Sequence, residues 1–524
     1  MKLRTIVKIA ITSSVVLLCS GFALYSFFRL SAAEGQKDFN LYELVPSTTS
    51  AVFVTDDVLE FVAEVDELTC SKNQQYLYVS KLFSYLKQSL YALSEDTPHG
   101  LSRQMNQMLI SFHEPDNERN QVLYCRLGNG DKELVNRFVR KYISSLYPPK
   151  TFIYKGEEII IYPMADGDFL ACYLTSDFMA LSFQKKLIEN VIDAYKSGKS
   201  LADDSTFTGI RAPKKSAAAA TIYTRMQGMM GWTEFDMKMK DDFIYFSGIT
   251  HDADTCFAFI NQLRQQQSVK GFPGEVLPST AFYFSRQGIT DWVSLLSYGN
   301  AQGQSVPART SEVQNRDKEF SRYLMENAGQ DLVACLFQRE DTLQGAAAVL
   351  SLSVADVTEA ERMLRALVNA APADEGRRNP RITFCYTVNK AYPIYRLPQT
   401  TLFEQLTSFA EPTLDVYAAF YGGRLLLAPD ADALAHYIRQ LDKGEVLNGA
   451  MAYQTGMDHL SDSYHFMLMA DFDHIFQQSE NHVRFVPDFF LRNADFFRHF
   501  TFFVQFACAD GVVYPNIVLK YKSE

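Results

Sequence analysis

Hydrophobic residues recur along this 524-residue chain with two periods, and the switch between them happens twice in the same order. The first block opens on Val45-Pro46-Ser47-Thr48, continues as a short strand-like apolar run from 51 to 54, and then shifts to helical spacing through Leu59, Val62 and Val65. Its counterpart opens on Leu277-Pro278-Ser279-Thr280, runs through Phe282-Tyr283-Phe284 and shifts to Ile289, Trp292 and Leu295. Proline ahead of an apolar run suits a strand start, where the missing N–H costs least. The second block has two apolar runs, 108–112 and 122–127, before a helix face of Phe138, Val139, Tyr142 and Ile143. Runs 332–337 and 346–352 precede Met363, Leu364, Leu367 and Val368 in the same way. That spacing is one stripe of an amphipathic helix.

The third block repeats without gaps. A strand through Met179-Ala180-Leu181 and a helix face of Ile188, Val191, Ile192 and Tyr195 match Leu425-Leu426-Leu427 and Leu434, Tyr437, Ile438 and Leu441. Gly198 and Gly444 follow as helix stops, and strands at 219–223 and 465–469 come after them. A wider spacing between copies in this block predicts an insertion in the second copy, near residues 398–413. Strands outnumber helices and come in pairs, so the expected class is α+β, with two tandem copies of a mainly antiparallel sheet unit and helices packed on one face. The expected boundaries are an anchor at 1–33, a first repeat at 41–267 and a second at 268–524, the turn residues Gly271, Pro273 and Gly274 marking the join.

Residues 9–28 carry no charge. Twenty residues at about 1.5 Å each span about 30 Å, the depth of a bilayer core. Lys2, Arg4 and Lys8 precede the run and Arg29 follows it, which predicts a single-pass inner-membrane anchor with a cytoplasmic N-terminus and a periplasmic body. Ser31-Ala32-Ala33 would suit a cleaved signal, but the run is longer than the roughly 7–15 residues of a signal core. Leu18 stands before Cys19, where a lipoprotein signal needs a small residue.

Charge narrows the partners. The net charge is −11, and the four basic residues around the anchor make the body more acidic still. Such a surface repels phosphate backbones, so nucleic acid is not an expected partner. The eight cysteines are dispersed with no Cys-x-x-Cys pair, which predicts buried thiols in place of a disulfide framework or zinc site.

One phrase, Gly198-Lys199-Ser200-Leu201-Ala202-Asp203-Asp204-Ser205-Thr206-Phe207, together with the Pro-Ser-Thr strand opening after an N-terminal anchor, resembles an uncharacterised membrane-anchored bacterial family, domain of unknown function 3352, known mainly from Bacteroidota. The second copy departs from it, with Gly444-Glu445-Val446-Leu447-Asn448-Gly449 and no acidic pair. The resemblance implies address and architecture, and no activity, cofactor or site residue.

Candidate chemistry is sparse. Gly198-Lys199-Ser200 ends a helical pattern where a phosphate loop would begin one, and position 193 is Asp where that loop needs Gly. Asp56-Asp57 and Asp203-Asp204 read as helix caps. His459, His465, Asp471, Asp473 and His474 are the residue types a divalent metal accepts, with His465, Asp471 and Asp473 expected along one strand. The Phe-rich stretch 472–506 reads first as a helix and strand that complete the second core; it is also the foremost interaction candidate, through Phe485, Phe489, Phe490, Phe496, Phe497 and Phe500, most of them spaced as one broad helix stripe. The leading expectation is a non-enzymatic anchored binding or scaffold protein with an envelope protein as partner and no cofactor. The alternatives are a metal-assisted hydrolase built on the His/Asp cluster and a lipid or glycan carrier with a deep apolar cleft.

Overall fold

The computed structural model describes residues 39–73, 82, 105–113, 119–128, 131–139, 147–164, 167–211, 218–225, 231–250, 258–293, 295–296, 310–339, 346–370, 381–388, 390–407, 413–477, 486 and 488–522. The apolar run at 9–28 lies outside them, and among the described residues no helix is long and apolar enough to cross a membrane. The chain is α+β, with a 20-stranded antiparallel sheet and fourteen α-helices among the described residues.

Ten strands come from the first half: β1 (Ala51–Thr55), β2 (Met108–Phe112), β3 (Gln121–Arg126), β4 (Lys150–Tyr154), β5 (Glu157–Pro163), β6 (Phe169–Leu174), β7 (Phe178–Ser182), β8 (Ala220–Thr224), β9 (Thr233–Lys240) and β10 (Phe243–Thr250). The second half begins with the short β11 (Val269–Lys270), followed by β12 (Ala281–Gly288), β13 (Ala328–Phe337), β14 (Ala347–Val354), β15 (Ile382–Tyr386), β16 (Ala391–Arg396), β17 (Tyr417–Tyr421) and β18 (Arg424–Ala428). It ends with β19 (Ser463–Tyr464), β20 (Phe466–Asp471), β21 (Phe500–Ala509) and β22 (Val512–Tyr521). β11 and β19 form a separate two-stranded ribbon.

Pairing sets the order in space. From one edge the sheet runs β4-β5-β6-β7-β3-β2-β1-β8-β9-β10. From the other it runs β15-β16-β17-β18-β14-β13-β12-β20-β21-β22. The two runs meet where β10 pairs antiparallel with β22. Each strand of one run thus has a counterpart at the same distance from the join. The join is self-matching: Ser247 faces Asn516, Phe246 faces Ile517, and Ser247 Oγ donates to Asn516 Oδ1 at 2.9 Å. The hairpins feeding it match too, each turning on an aspartate with positive φ, Asp241 and Asp510, as two-residue hairpin turns require.

Helices cover both faces of each half, where the apolar periodicity predicts one. In the first half, Phe61, Val62 and Val65 of the helix Val58–Glu67 pack on Phe53, Ile110, Leu123 and Cys125. On the opposite face, Ile188, Val191 and Ile192 of the helix Lys185–Ser197 pack on Val52, Leu109 and Tyr124. The second half repeats this with Leu364 and Val368 on one face and Leu434, Tyr437 and Ile438 on the other. The cause is visible in the central strands. Every residue of β7 is buried, as are five of the six in β3, so no side of these strands faces water. Each such Val, Leu, Ile or Phe contributes roughly 1.5–3 kcal/mol on burial.

Two features are private to the second half. The helix Leu402–Leu406 stands between β16 and β17, inside the segment where the repeat spacing widens. It is tied down by Asp317, which accepts from Thr400 Oγ1 at 2.7 Å, Thr401 N at 2.9 Å and Thr401 Oγ1 at 2.7 Å. The second feature is the Phe-rich segment between β20 and β21. It does not form one helix: Asn493 leaves helical geometry between Asp488–Arg492 and Ala494–Phe497, and Phe500 opens β21. The strand wins because Phe500 pairs with Tyr521 of β22, and Thr501 to Phe503 pair with both β20 and β22.

Candidate functional site

The largest difference between the halves lies at one end of the central strands. In the first half this place is a cavity of about 350 Å³ beneath the short 3-10 helix Leu41–Glu43, bounded by β1, β2, β3 and β8. Its polar lining is Tyr42, Asp56, Gln107, Arg126, Arg211, Thr221 and Tyr223. Gln107 Nε2 donates to Asp56, while its Oε1 is a buried acceptor with no donor among the described residues. The Arg211 guanidinium sits 4.1 Å from the centre of the Tyr42 ring. Burial raises the Tyr42 hydroxyl well above the ordinary tyrosine range, and the charges of Arg211 and Arg126 pull against that rise. Burial pushes Tyr223 up to about 12. Both phenols therefore stay protonated near neutral pH and present O–H groups to the cavity.

Register identifies what stands there in the second half. Val54 faces Leu109 and Thr221 as Arg286 faces Val333 and Met467, so Arg286 replaces Val54. Asp331, opposite Gly288, replaces Gln107, and Arg424, opposite Ser353, replaces Phe178, opposite Arg126. Tyr464 replaces Ala218 at the residue before a matching backbone contact, His465 N to Phe506 O against Ala219 N to Met237 O. The larger residues fill the space. Arg286 Nε lies 3.0 Å and Arg424 Nη2 3.3 Å from Asp331 Oδ2, and Arg286 Nη1 also donates to Tyr464 Oη at 3.3 Å. Burial pushes the Asp331 carboxyl up, but Arg424, Ser353 and Arg286 hold it below the usual carboxylate range. Gly274 replaces Tyr42, and a Cβ there would come 2.7 Å from the Tyr453 ring. Tyr42 instead packs beside Phe207, ring centres 5.2 Å apart. The cavity is open because Val54 and Ala218 are small where Arg286 and Tyr464 are large.

The His/Asp residues of the second half do not converge on one site: Asp471 pairs with His474, while His459 and His465 stand apart. His465 precedes β20, and its Nδ1 accepts from Cys508 N at 3.1 Å. Asp471 closes the same strand, about 20 Å away at roughly 3.3 Å per residue. There it caps the helix Phe472–Phe476 through Asp473 N at 3.1 Å and pairs with His474 at 3.2 Å and Lys522 at 2.7 Å. The Asp471 pair raises His474 above the ordinary histidine range. His459 packs elsewhere, against Phe243 and Tyr245. Among the described residues no group of three or more His, Cys, Asp or Glu could hold a metal ion.

The Phe residues face inward. Phe497 and Phe500 are buried, and Phe490 and Phe496 pack beside them, with ring centres 4.8 Å apart for Phe490–Phe497 and for Phe496–Phe500. Phe497 belongs to the second half's core and Phe500 to the first half's, with Phe496 touching both, so this cluster seals the seam. Phe485 and the Phe489 side chain lie outside the described residues. Asp57 and Asp204 cap helices through Glu60 N at 2.9 Å and Thr206 N at 2.9 Å, and Gly198 closes its helix with φ +63°. The described cysteines are unpaired, and five of the six are buried.

Comparison with family models, with curated proteins and with solved structures returns no match for this chain. A mismatch between aligned repeats was the signal available for the cavity: Gln107 against Asp331 and Val54 against Arg286.

Proposed function

We propose that this chain is a non-catalytic binding or scaffold protein of the bacterial envelope. Residues 9–28 hold it in the inner membrane, with the body in the periplasm as two copies of one α+β unit, 41–267 and 268–524. The resemblance of residues 198–207 and of the Pro-Ser-Thr opening to the membrane-anchored family of domain of unknown function 3352 accords with this reading. Its support for address comes from the charge-free run with basic flanks. Its support for duplication comes from the matched strand order about the β10·β22 join.

The observation that carries the binding role is the cavity of the first half. Guanidinium, phenol, amide, hydroxyl and carboxylate groups line it, which are groups that hold a polar molecule in place. A lipid carrier would need an apolar cleft instead, and a polar lining of this kind is unfavourable for acyl chains. The test is crosslinking of the full-length protein in intact cells, followed by detergent extraction and mass spectrometry. A reproducible envelope partner, lost when residues 1–33 are replaced by a soluble export signal, is the expected result. Recovery of the protein alone from both strains would sink the scaffold reading.

A further inference from the structure

We infer that the first-half cavity is a seat for a small zwitterion, with the Asp56 carboxylate meeting its ammonium, and Arg211 and the Tyr42 and Tyr223 hydroxyls meeting its oxyanion. This rests on the binding-module reading and names the ligand class for it.

The phenols carry the argument. Tyr42 is 8% exposed and Tyr223 7%, and both line the cavity. Neither hydroxyl has a hydrogen-bond partner among the described residues, and neither is sealed off. The core holds the rings, while the O–H groups are left for what fills the cavity. The charges beside them have opposite signs. Asp56 and Arg211 are both exposed and both line the cavity, and neither forms an ion pair among the described residues. The Arg211 guanidinium lies over the Tyr42 ring. Gln107 Nε2 donates to Asp56 and leaves that carboxylate further acceptor positions. Burial is the main cause of the raised titration of both phenols. Among the charges, Arg211 lowers and Asp56 raises each phenol, so both stand within electrostatic reach of both hydroxyls. Arg126 has a contact of its own and Gln107 Oε1 is sealed, so neither is assigned to the ligand.

A guanidinium and two phenol donors suit an oxyanion, and the carboxylate suits an ammonium. A simple anion would meet like charge at Asp56 and a simple cation would meet it at Arg211, whereas one molecule with both charges answers both. The second half supplies the control. Register puts Gly288 at the Asp56 position and Met469 at the Tyr223 position. Counting on from the matched helix stops Gly198 and Gly444 puts Met457 at the Arg211 position. With Gly274 in place of Tyr42, none of the four groups recurs there, so the fold that both halves share does not require them. At about 350 Å³ the space lies at the small end of ligand cavities, so the ligand has the size of a free amino acid. Carboxylate and phosphate share the oxyanion chemistry, and a free amino acid and the phosphoethanolamine of a lipid headgroup are its two sources.

The experiment is calorimetric titration of the full chain in non-ionic detergent micelles with L-alanine, phosphoethanolamine, propionate and ethylamine. At least one of the two zwitterions binds, and which one identifies the source. Propionate and ethylamine each lack one of the two charges and bind more weakly by about tenfold or more. Asp56→Asn weakens the bound zwitterion by about tenfold or more, and so does the double variant Tyr42→Phe/Tyr223→Phe, which keeps both rings and removes both hydroxyls. Thermal midpoints read on the same samples keep misfolding from counting as loss. Failure of both zwitterions, propionate or ethylamine binding as tightly as the better zwitterion, or unchanged zwitterion binding in either folded variant overturns the inference. If the zwitterions fail while the crosslinked partner is still recovered, the seat is wrong and the module reading stands. If zwitterion binding holds and no partner is recovered, the seat stands and the scaffold role falls.

Discussion

The two halves share their strand order, their helix placement on both faces and their hairpin turns, yet they treat one place in opposite ways. The second half closes the end of its central strands with a triad of the buried Asp331 and the half-buried Arg286 and Arg424, under Tyr464. The first half leaves that end open, with two arginines, an amide and two phenols around it. If the two halves are copies of one unit, as proposed above, the core is needed twice but a given site only once. Filling the spare copy with a self-satisfied ion network is one way to remove it, because an unpaired buried charge would be costly.

The largest expected effect follows from the filled half. Asp331→Asn removes the buried carboxylate that pairs with the half-buried Arg286 and Arg424 and should lower stability by about 3–5 kcal/mol, read from denaturant unfolding. Gln107→Asn in the first half should cost far less by the same measurement. Equal losses would break the comparison. The pH dependence carries the same contrast. Because the folded Asp331 carboxyl titrates below its unfolded value of about 3.9, its contribution is present above that pH and is lost as pH falls through the lower folded value. Asp331→Asn should lack that acid-side component, and an unchanged acid limb would count against the triad.

The seam comes next. Phe500→Ala removes a buried ring that packs on Phe496 and Tyr521 and should destabilise by about 3–4 kcal/mol, with both halves melting together. Independent melting of the halves, followed by limited proteolysis near residue 268, would show that the seam does not couple them. The smallest effect belongs to the join itself. Asn516→Ala deletes the hydrogen bond from Ser247 and should cost about 1 kcal/mol, small because the backbone ladder around it remains.

Much of this architecture was legible in the chain, for stated reasons. Helix faces such as Ile188, Val191 and Ile192 announce themselves because burial on one side imposes a 3.6-residue period. Gly198 and Gly444 mark helix ends because a left-handed residue is needed there. The insertion carrying Leu402–Leu406 showed as a change in repeat spacing. Other features were hidden. Helices on both faces leave no alternation in β7 or β3, and a fully buried strand reads the same whichever face is considered. The stripe from Phe489 to Phe500 read as one helix because its spacing fits one, while Phe500 opens a strand whose pairing with β22 and β20 the spacing does not show. The cavity was least legible. It is made by two small residues, Val54 and Ala218, on different strands, and small residues signal nothing until their counterparts are known. The histidine and aspartate cluster was misleading for a similar reason: closeness in sequence along β20 separates side chains by the length of the strand.

The account depends most on the two halves meeting in register about Ser247 and Asn516. Paired residues of antiparallel strands have Cα atoms about 4.5–5.5 Å apart, within the span of a disulfide. The direct measurement is oxidative crosslinking of the double variant Ser247→Cys/Asn516→Cys, followed by proteolysis between the halves and mass spectrometry of the linked peptides. A disulfide that forms readily here, and much less readily in Tyr245→Cys/Asn516→Cys, is the expected result. Equal crosslinking in both variants, or none in either, would contradict the self-matching join and with it the description of one unit built twice.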